Sequence, residues 1–169
     1  MSFTIRLMES SDWDAVAGIY QAGMDTNLAT FQTECPSYEE WDASHLKCCR
    51  LVAVDESGSV IGWAALSPVS SRCVYAGVAE ISVYISSDWR SKGIGNALLD
   101  ALATASEREG IWTLQSGIMA DNIASIRLHE KCGYRMVGFR ERIGRDRNGK
   151  WRDTVLMERR SITVGDETT

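Results

Sequence analysis

The segment Ala79-Glu80-Ile81-Ser82-Val83-Tyr84-Ile85 alternates apolar and polar residues and carries a carboxylate near its start. As a strand it puts Ile81, Val83 and Ile85 on one face and Glu80, Ser82 and Tyr84 on the other. A half-exposed strand with a polar face accounts for that pattern without any chemistry. The next segment changes the picture. Arg90-Ser91-Lys92-Gly93-Ile94-Gly95 joins the strand to a helical stripe of Ile94, Ala97, Leu98, Ala101, Leu102 and Ala105. The first N–H groups of a helix have no internal partner, and the helix dipole attracts anions there. Glycines at 93 and 95 let a ligand approach the backbone, and Arg90 and Lys92 add positive charge, which suits a phosphate or pyrophosphate. The P-loop pattern is not met, because Asn96 follows Gly95, and the dinucleotide pattern fails at Leu98.

Periodicity gives the elements that must position these residues. Thr4 to Leu7 reads as a strand, and Ser11 with Asp14 caps a helix carrying Val16, Ile19, Tyr20 and Gly23. Ser37 and Glu40 form a capping box that opens a second helix through about Cys49. Leu51 to Val54 and Val60 to Leu66 make a hairpin around Glu56-Ser57-Gly58-Ser59. After the helix from Ile94, which ends near Gly110, Thr113 to Met119 is a further strand. Asp121 or Asn122 then caps a helix closed by Gly133. Arg135 to Ile143 and Trp151 to Glu158 flank a turn at Asn148-Gly149. The order is β-α-α-β-β-β-α-β-α-β-β. Strand 4, a helix and strand 5 make one parallel unit in an otherwise antiparallel sheet, which is an α+β arrangement.

Composition narrows the function classes. At 169 residues the chain suits one domain, expected over 1–162, with 163–169 as a flexible tail. The net charge of -5 speaks against nucleic acid as a partner. The basic run from Arg140 to Arg152, interrupted by Glu141 and Asp146, reads as a solvated hairpin. No apolar run approaches membrane-spanning length and the N-terminus lacks a signal-peptide core, so no membrane association is expected. Cysteines 35, 48, 49, 73 and 132 form no Cys-x-x-Cys pair, which fits free thiols in the cytoplasm. His45 three residues before Cys48 is too little for a metal site, and no metal is expected.

Arg-x-x-Gly-x-Gly after a strand, with an Asn-bearing helix about thirty residues on, resembles motifs A and B of the GNAT acyl-CoA-dependent N-acetyltransferases. Further stretches resemble the branch that acetylates phosphinothricin and methionine sulfoximine. They are Phe31-Gln32-Thr33-Glu34, Arg72-x-x-Tyr75, Ala79-Glu80-x-Ser82-Val83-Tyr84, Asn122-x-x-Ser125-x-Arg127-x-His129, Gly133-Tyr134 and Gly149-Lys150-Trp151-x-Asp153. The resemblance implies a seven-stranded mixed sheet with about four helices, splayed between strands 4 and 5. It implies acetyl-CoA as cosubstrate, its pyrophosphate on Arg90, Ser91, Lys92, Gly93, Ile94 and Gly95 and its arm along Val83, Tyr84 and Ile85. Asn122 and Ser125 on the next helix would complete that side.

Acetyl transfer needs a neutral amine, so a proton must leave an ammonium. By resemblance Glu80 is the base, a carboxylate whose pKa partial burial can tune, acting directly or through water. His129 is either the acid for the leaving thiolate or a second group that helps deprotonate the amine. Phe31, Arg72, Tyr75 and Ser82 would contact the acceptor, Arg72 through a carboxylate. Trp151 is open between pocket, interface and core. Cys73 has no evident base beside it, so direct transfer is expected rather than an acyl-cysteine. The implied activity is acetylation of the α-amine of a small amino acid analogue by a homodimer. The alternatives are another amine, a peptide N-terminus or a polyamine, and a non-catalytic acyl-CoA sensor.

Overall fold

A computed structural model describes residues 2–165 of the chain. Seven strands form one sheet in the order β1-β2-β3-β4-β5-β7-β6. They are β1 (Phe3–Leu7), β2 (Leu51–Asp55), β3 (Val60–Pro68), β4 (Val78–Ile85), β5 (Thr113–Met119), β6 (Arg135–Arg145) and β7 (Trp151–Arg160). Only β4 and β5 run parallel; the other neighbours are antiparallel. Helices α1 (Trp13–Asp25), α2 (Tyr38–Ser44), α3 (Ile94–Arg108) and α4 (Ile123–Lys131) cover the sheet. The expected α+β class, element order and single parallel unit all hold.

Each face of the sheet has its own core, as the strand alternation requires. Under α3, Leu98, Leu99 and Leu102 pack on Ala64, Leu66, Ile81 and Leu114. Under α1 and α2, Val16, Tyr20, Met24 and Trp41 pack on Val52, Ala65 and Trp63. Tyr84 joins that second side, stacked on Trp63 at 5.1 Å between ring centres. The alternation read in β4 is therefore real, with Ile81, Val83 and Ile85 against α3 and Tyr84 against α1.

Three local readings change. The first helix is entered through a short 3-10 turn, Ser10–Asp12, rather than a Ser11 cap. Asp12 accepts from the Glu9 amide at 2.8 Å and takes both Nη groups of Arg6, so a salt bridge fixes the chain's turn off β1. The Ser37–Glu40 capping box is present, but α2 stops at Ser44 instead of reaching Cys49. His45 turns extended, and the Leu46 amide donates to Leu66 O of β3 at 2.8 Å. Arg50 then takes up the exposed carbonyls of Asp42, His45 and Leu46 that a longer helix would have used. At the other terminus the expected flexible tail is tied down over residues 163–165. Arg160 donates to Val164 O and Gly165 O, and Ser161 Oγ accepts from the amides of Thr163 and Val164. The remainder of that expected tail, 166–169, lies outside the described residues.

Gly77 sets where the parallel pair begins. Its carbonyl accepts from the amides of Trp112 and Thr113 at 2.8 and 3.0 Å. A Cβ there would stand 2.0 Å from the Trp112 ring. The indole is a rigid ring rather than the end of a flexible chain, so Gly77→Ala is expected to cost on the order of 1–3 kcal/mol. Urea unfolding of the variant checks it, and an unchanged midpoint would show that the ring moves freely.

Candidate active site

The parallel pair is short. β4 and β5 register only at Val78 with Thr113, Ala79 with Leu114 and Glu80 with Gln115. Beyond Glu80, β4 stays paired with β3 as far as Ile85 opposite Gly62. Beyond Gln115, β5 stays paired with β7 as far as Met119 opposite Thr154. Both strands are held from their outer sides while the gap between them opens into a cleft of about 710 Å³. The backbone groups that Ile81 to Ile85 turn toward this gap have no ladder partner, so an extended ligand could pair with them.

Glu80 sits at the vertex, where Gln115 Nε2 donates to its Oε2 at 3.2 Å. It is solvent-exposed, so the partial burial expected of it is not met in the single chain: the strands open at its level and leave the carboxylate at the mouth. Ser82, Val83, Tyr84 and Phe31 line the cleft. Ile85 does not; it packs into the core beneath α3.

The far wall comes from the start of α4. Asn122 is its N-cap, accepting from the Ser125 amide at 3.2 Å, while its own amide donates to Leu28 O at 3.4 Å. Cap and cleft residue are thus one and the same. His129 is 1% exposed yet lines the cleft beside Ser125. Its Nδ1 lies 2.7 Å from Ser125 O. A carbonyl can only accept, so Nδ1 carries the proton and the lone pair is on Nε2. That atom is buried with no partner among the described residues. Burial moves the imidazole pKa down, the Ser125 carbonyl opposing it, so the ring is neutral at physiological pH.

The loop Arg90 to Gly93 is exposed, outside the cleft lining, beyond the C-terminal end of β4. Five steps of strand lead from Glu80 to Ile85, about 17 Å at strand rise. The two glycines do different things. Gly93 has φ +85° and precedes the first turn of α3, a conformation that favours glycine. Gly95 is buried, and a Cβ on it would stand 2.8 Å from Leu128 and 3.0 Å from Ile85. Its smallness brings α3 close to α4 rather than opening the backbone to a ligand.

Arg72 and Tyr75 are not among the cleft residues. They lie on an exposed 3-10 turn ahead of β4, with the guanidinium over the Tyr75 ring at 5.7 Å. Trp151 is 49% exposed with Arg145 over its ring at 4.5 Å, which removes core packing from its options.

The hairpin read as solvated is exposed over most of its length, with two buried charged residues as the exception. Asp146 and Arg152 are each 8% exposed. Arg152 donates to Asp146 Oδ2, to Asn27 O and to both oxygens of Asp121. Asp146 also accepts from Asn27 and from the amides of Asn148 and Lys150. One guanidinium therefore fastens three segments: the hairpin tip, the loop after α1, and the corner that carries Asn122. Between Arg140 and Gly144 the β6 register slips against β7, forming a bulge. Arg142 sits in it at φ +49°, its amide donating to Asp153 Oδ1 at 2.7 Å. Arg140, in register with Thr154 just before the bulge, lines the cleft together with Ile143 and Gly144. Phe31 packs on Gly144, where a Cβ would stand 3.0 Å from its ring.

His45 also lines the cleft. Its Nδ1 is 2.7 Å from Trp41 O, and its ring stacks on Trp41 at 4.4 Å. Sequence reasoning considered it only as half of a metal pair; the signal that could have raised it is its place at a helix end just before a strand. Among the described residues no group of three or more His, Cys, Asp or Glu could hold a metal ion. Among them, too, no helix is long and apolar enough to cross a membrane.

A parallel strand pair that parts at a carboxylate, followed by a basic glycine loop, is the arrangement that the resemblance to the N-acetyltransferases implies. The family model described as the acetyltransferase (GNAT) family matches residues 16–134, and the chain belongs to that family. It is 30% identical to the phosphinothricin N-acetyltransferase of Alcaligenes faecalis, over 98% of this chain and 85% of that protein. It is 27% identical to the L-methionine sulfoximine/L-methionine sulfone acetyltransferase of Salmonella typhimurium, over 92% of each. Among solved structures, a phosphinothricin acetyltransferase from Sinorhizobium meliloti in complex with AcCoA superimposes with a TM-score of 0.84 at 29% identity, over 99% of this chain and 98% of that one. A ribosomal-protein-alanine N-acetyltransferase from Brucella melitensis gives the same score and identity, over 94% and 99%.

Proposed function

We propose that the protein transfers the acetyl group of acetyl-CoA to the α-amine of a small amino acid analogue, of the phosphinothricin, methionine sulfoximine or methionine sulfone kind. The observation that carries this reading is Glu80 at the vertex of the β4–β5 gap, at one end of an unpaired strand edge whose other end leads into the Arg90–Gly95 loop. The fit to acetyl-CoA rests on those two features. The unpaired edge of Val83 to Ile85 suits an amide-bearing arm. The loop's Arg90 and Lys92, and the start of α3 behind Ser91, Gly93 and Ile94, suit a pyrophosphate. Asn122 and Ser125 face the arm from α4.

Transfer is direct, in a ternary complex. Glu80 takes the ammonium proton, through water where the amine does not touch it. An amide of β4 stabilises the oxyanion as the tetrahedral intermediate forms. His129, neutral with its lone pair on Nε2, acts on this reading as a proton acceptor toward the cleft rather than as a resting acid. Phe31 and Ser82 shape the acceptor side. A homodimer fits the edge strand β6, whose Met136, Val137, Phe139 and Ile143 are 42–60% exposed; light scattering at two chains per particle would bear this out. Five free cysteines fit the cytoplasm.

A second reading, acetylation of a peptide N-terminus, draws support from the equal likeness to the Brucella melitensis enzyme. The deciding experiment is thiol release from acetyl-CoA across an amine panel. It includes the three amino acid analogues, a polyamine and an alanine-terminated peptide. Turnover confined to the peptide replaces the first reading with the second. Binding of CoA with no turnover on any amine leaves an acyl-CoA sensor.

A further inference from the structure

We propose that Arg140, set on the cleft by its register opposite Thr154, grips the carboxylate of the acceptor. The inference rests on the amino acid reading above and names the residue that recognises that class. Arg140 is the only lysine or arginine that lines the cleft among the described residues. The guanidiniums of Arg6, Arg50, Arg152, Arg159 and Arg160 are engaged in internal hydrogen bonds, whereas Arg140 has none among the described residues. Its planar fork is therefore available, and that fork matches a carboxylate with two parallel bonds.

Register is what delivers it, since Thr154 opposite also lines the cleft, and a bulge follows at once. Arg140 still registers with Thr154, and Gly144 with Arg152, so three residues of β6 face one of β7. Arg142 takes the left-handed conformation in that span, secured by Asp153. Asp153 thus acquires a role as the anchor of the bulge. Charge then orients the ligand. Glu80 stands on the β4 side of the cleft and Arg140 on the β6 side, so a zwitterion settles with its ammonium toward the carboxylate and its carboxylate toward the guanidinium. The amine is thereby turned to the end where deprotonation occurs. Arg72, the residue that the sequence suggested for the carboxylate, is stacked on Tyr75 outside the cleft lining.

The test pairs each amino acid acceptor with its amide, which keeps the α-amine and removes the carboxylate charge. Arg140→Gln is expected to raise KM for the acid about 10- to 100-fold, the range of a lost charge-assisted contact. It should leave KM for acetyl-CoA and for the amide unchanged, and Arg140→Lys should recover part of the loss. Equal losses on acid and amide, or a loss seen with Arg72→Gln and not with Arg140→Gln, overturns the proposal. Calorimetric binding of the N-acetylated amino acid in the presence of CoA runs alongside and needs no turnover. Binding that depends on Arg140 without any turnover sinks the transferase reading while upholding the grip. Binding that ignores Arg140 sinks the grip.

Discussion

Glu80→Gln is expected to lower kcat/KM at neutral pH by about 10²- to 10⁴-fold, the usual contribution of a positioned general base. The loss should shrink as pH rises toward the pKa of the amine, because free amine then reaches the cleft without help. The KM for acetyl-CoA should barely move, since Glu80 lies at the far end of the strand from the Arg90–Gly95 loop. Glutamine keeps the shape and the hydrogen-bonding reach toward Gln115, so folding should be unaffected. Initial rates of thiol release from about pH 6.5 to 9.5, a range that spans the titration of an α-amine, decide the matter. A small, pH-independent deficit would remove Glu80 from the role of base.

Arg152→Met should produce the largest stability loss among the charged residues, a fall in Tm on the order of 5–10 °C. The physical reason is what stays behind. The Asp146 side chain is 2% exposed, and without the guanidinium it keeps its charge in a place where water cannot replace the partner. Asp121 is mostly exposed and can rehydrate. The double variant with Asp146→Asn should therefore regain part of the loss, whereas adding Asp121→Asn should not. The acid limb supplies a second readout. The Asn27 amide, the Lys150 and Asn148 amides and Arg152 hold the Asp146 pKa down at about 2. A depressed folded-state value means that this stability is complete above the unfolded value of about 4 and is lost as pH falls through about 2. In Arg152→Met the folded-state value rises, so the loss should be smaller and should be complete at a higher pH. Additive variants and identical acid limbs would show that the network is not coupled.

The same network bears on catalysis through position. Arg152 ties Asp121 to Asn27, and the neighbours of those residues, Asn122 and Leu28, are joined to each other by a hydrogen bond. The acceptor-side loop and the start of α4 thus share one fastening.

What the sequence determined by itself was what depends on near neighbours. Strand alternation assigned the faces of β4, because side-chain direction repeats every two residues wherever the strand sits. The Ser37–Glu40 box, the Asn122 cap and the turn at Gly149 each satisfy backbone groups within four residues. The distance from Glu80 to the glycine loop was legible for the same reason: strand rise is constant, so spacing in sequence becomes spacing in the cleft. What only the tertiary structure decided came from distant partners. Arg152 meets Asn27 across 125 residues and Asp121 across 31, and that meeting buries two charged residues of a hairpin that is otherwise exposed. Arg140 enters the cleft through its register with Thr154, His45 through an early helix end that lets Leu46 reach β3, and Arg72 stays outside it on an exposed turn. A charged residue's surroundings are set by what folds against it. Its local pattern carries its direction from the backbone, while the sheet register and the packing of other segments decide whether that direction leads to water, a partner or a substrate.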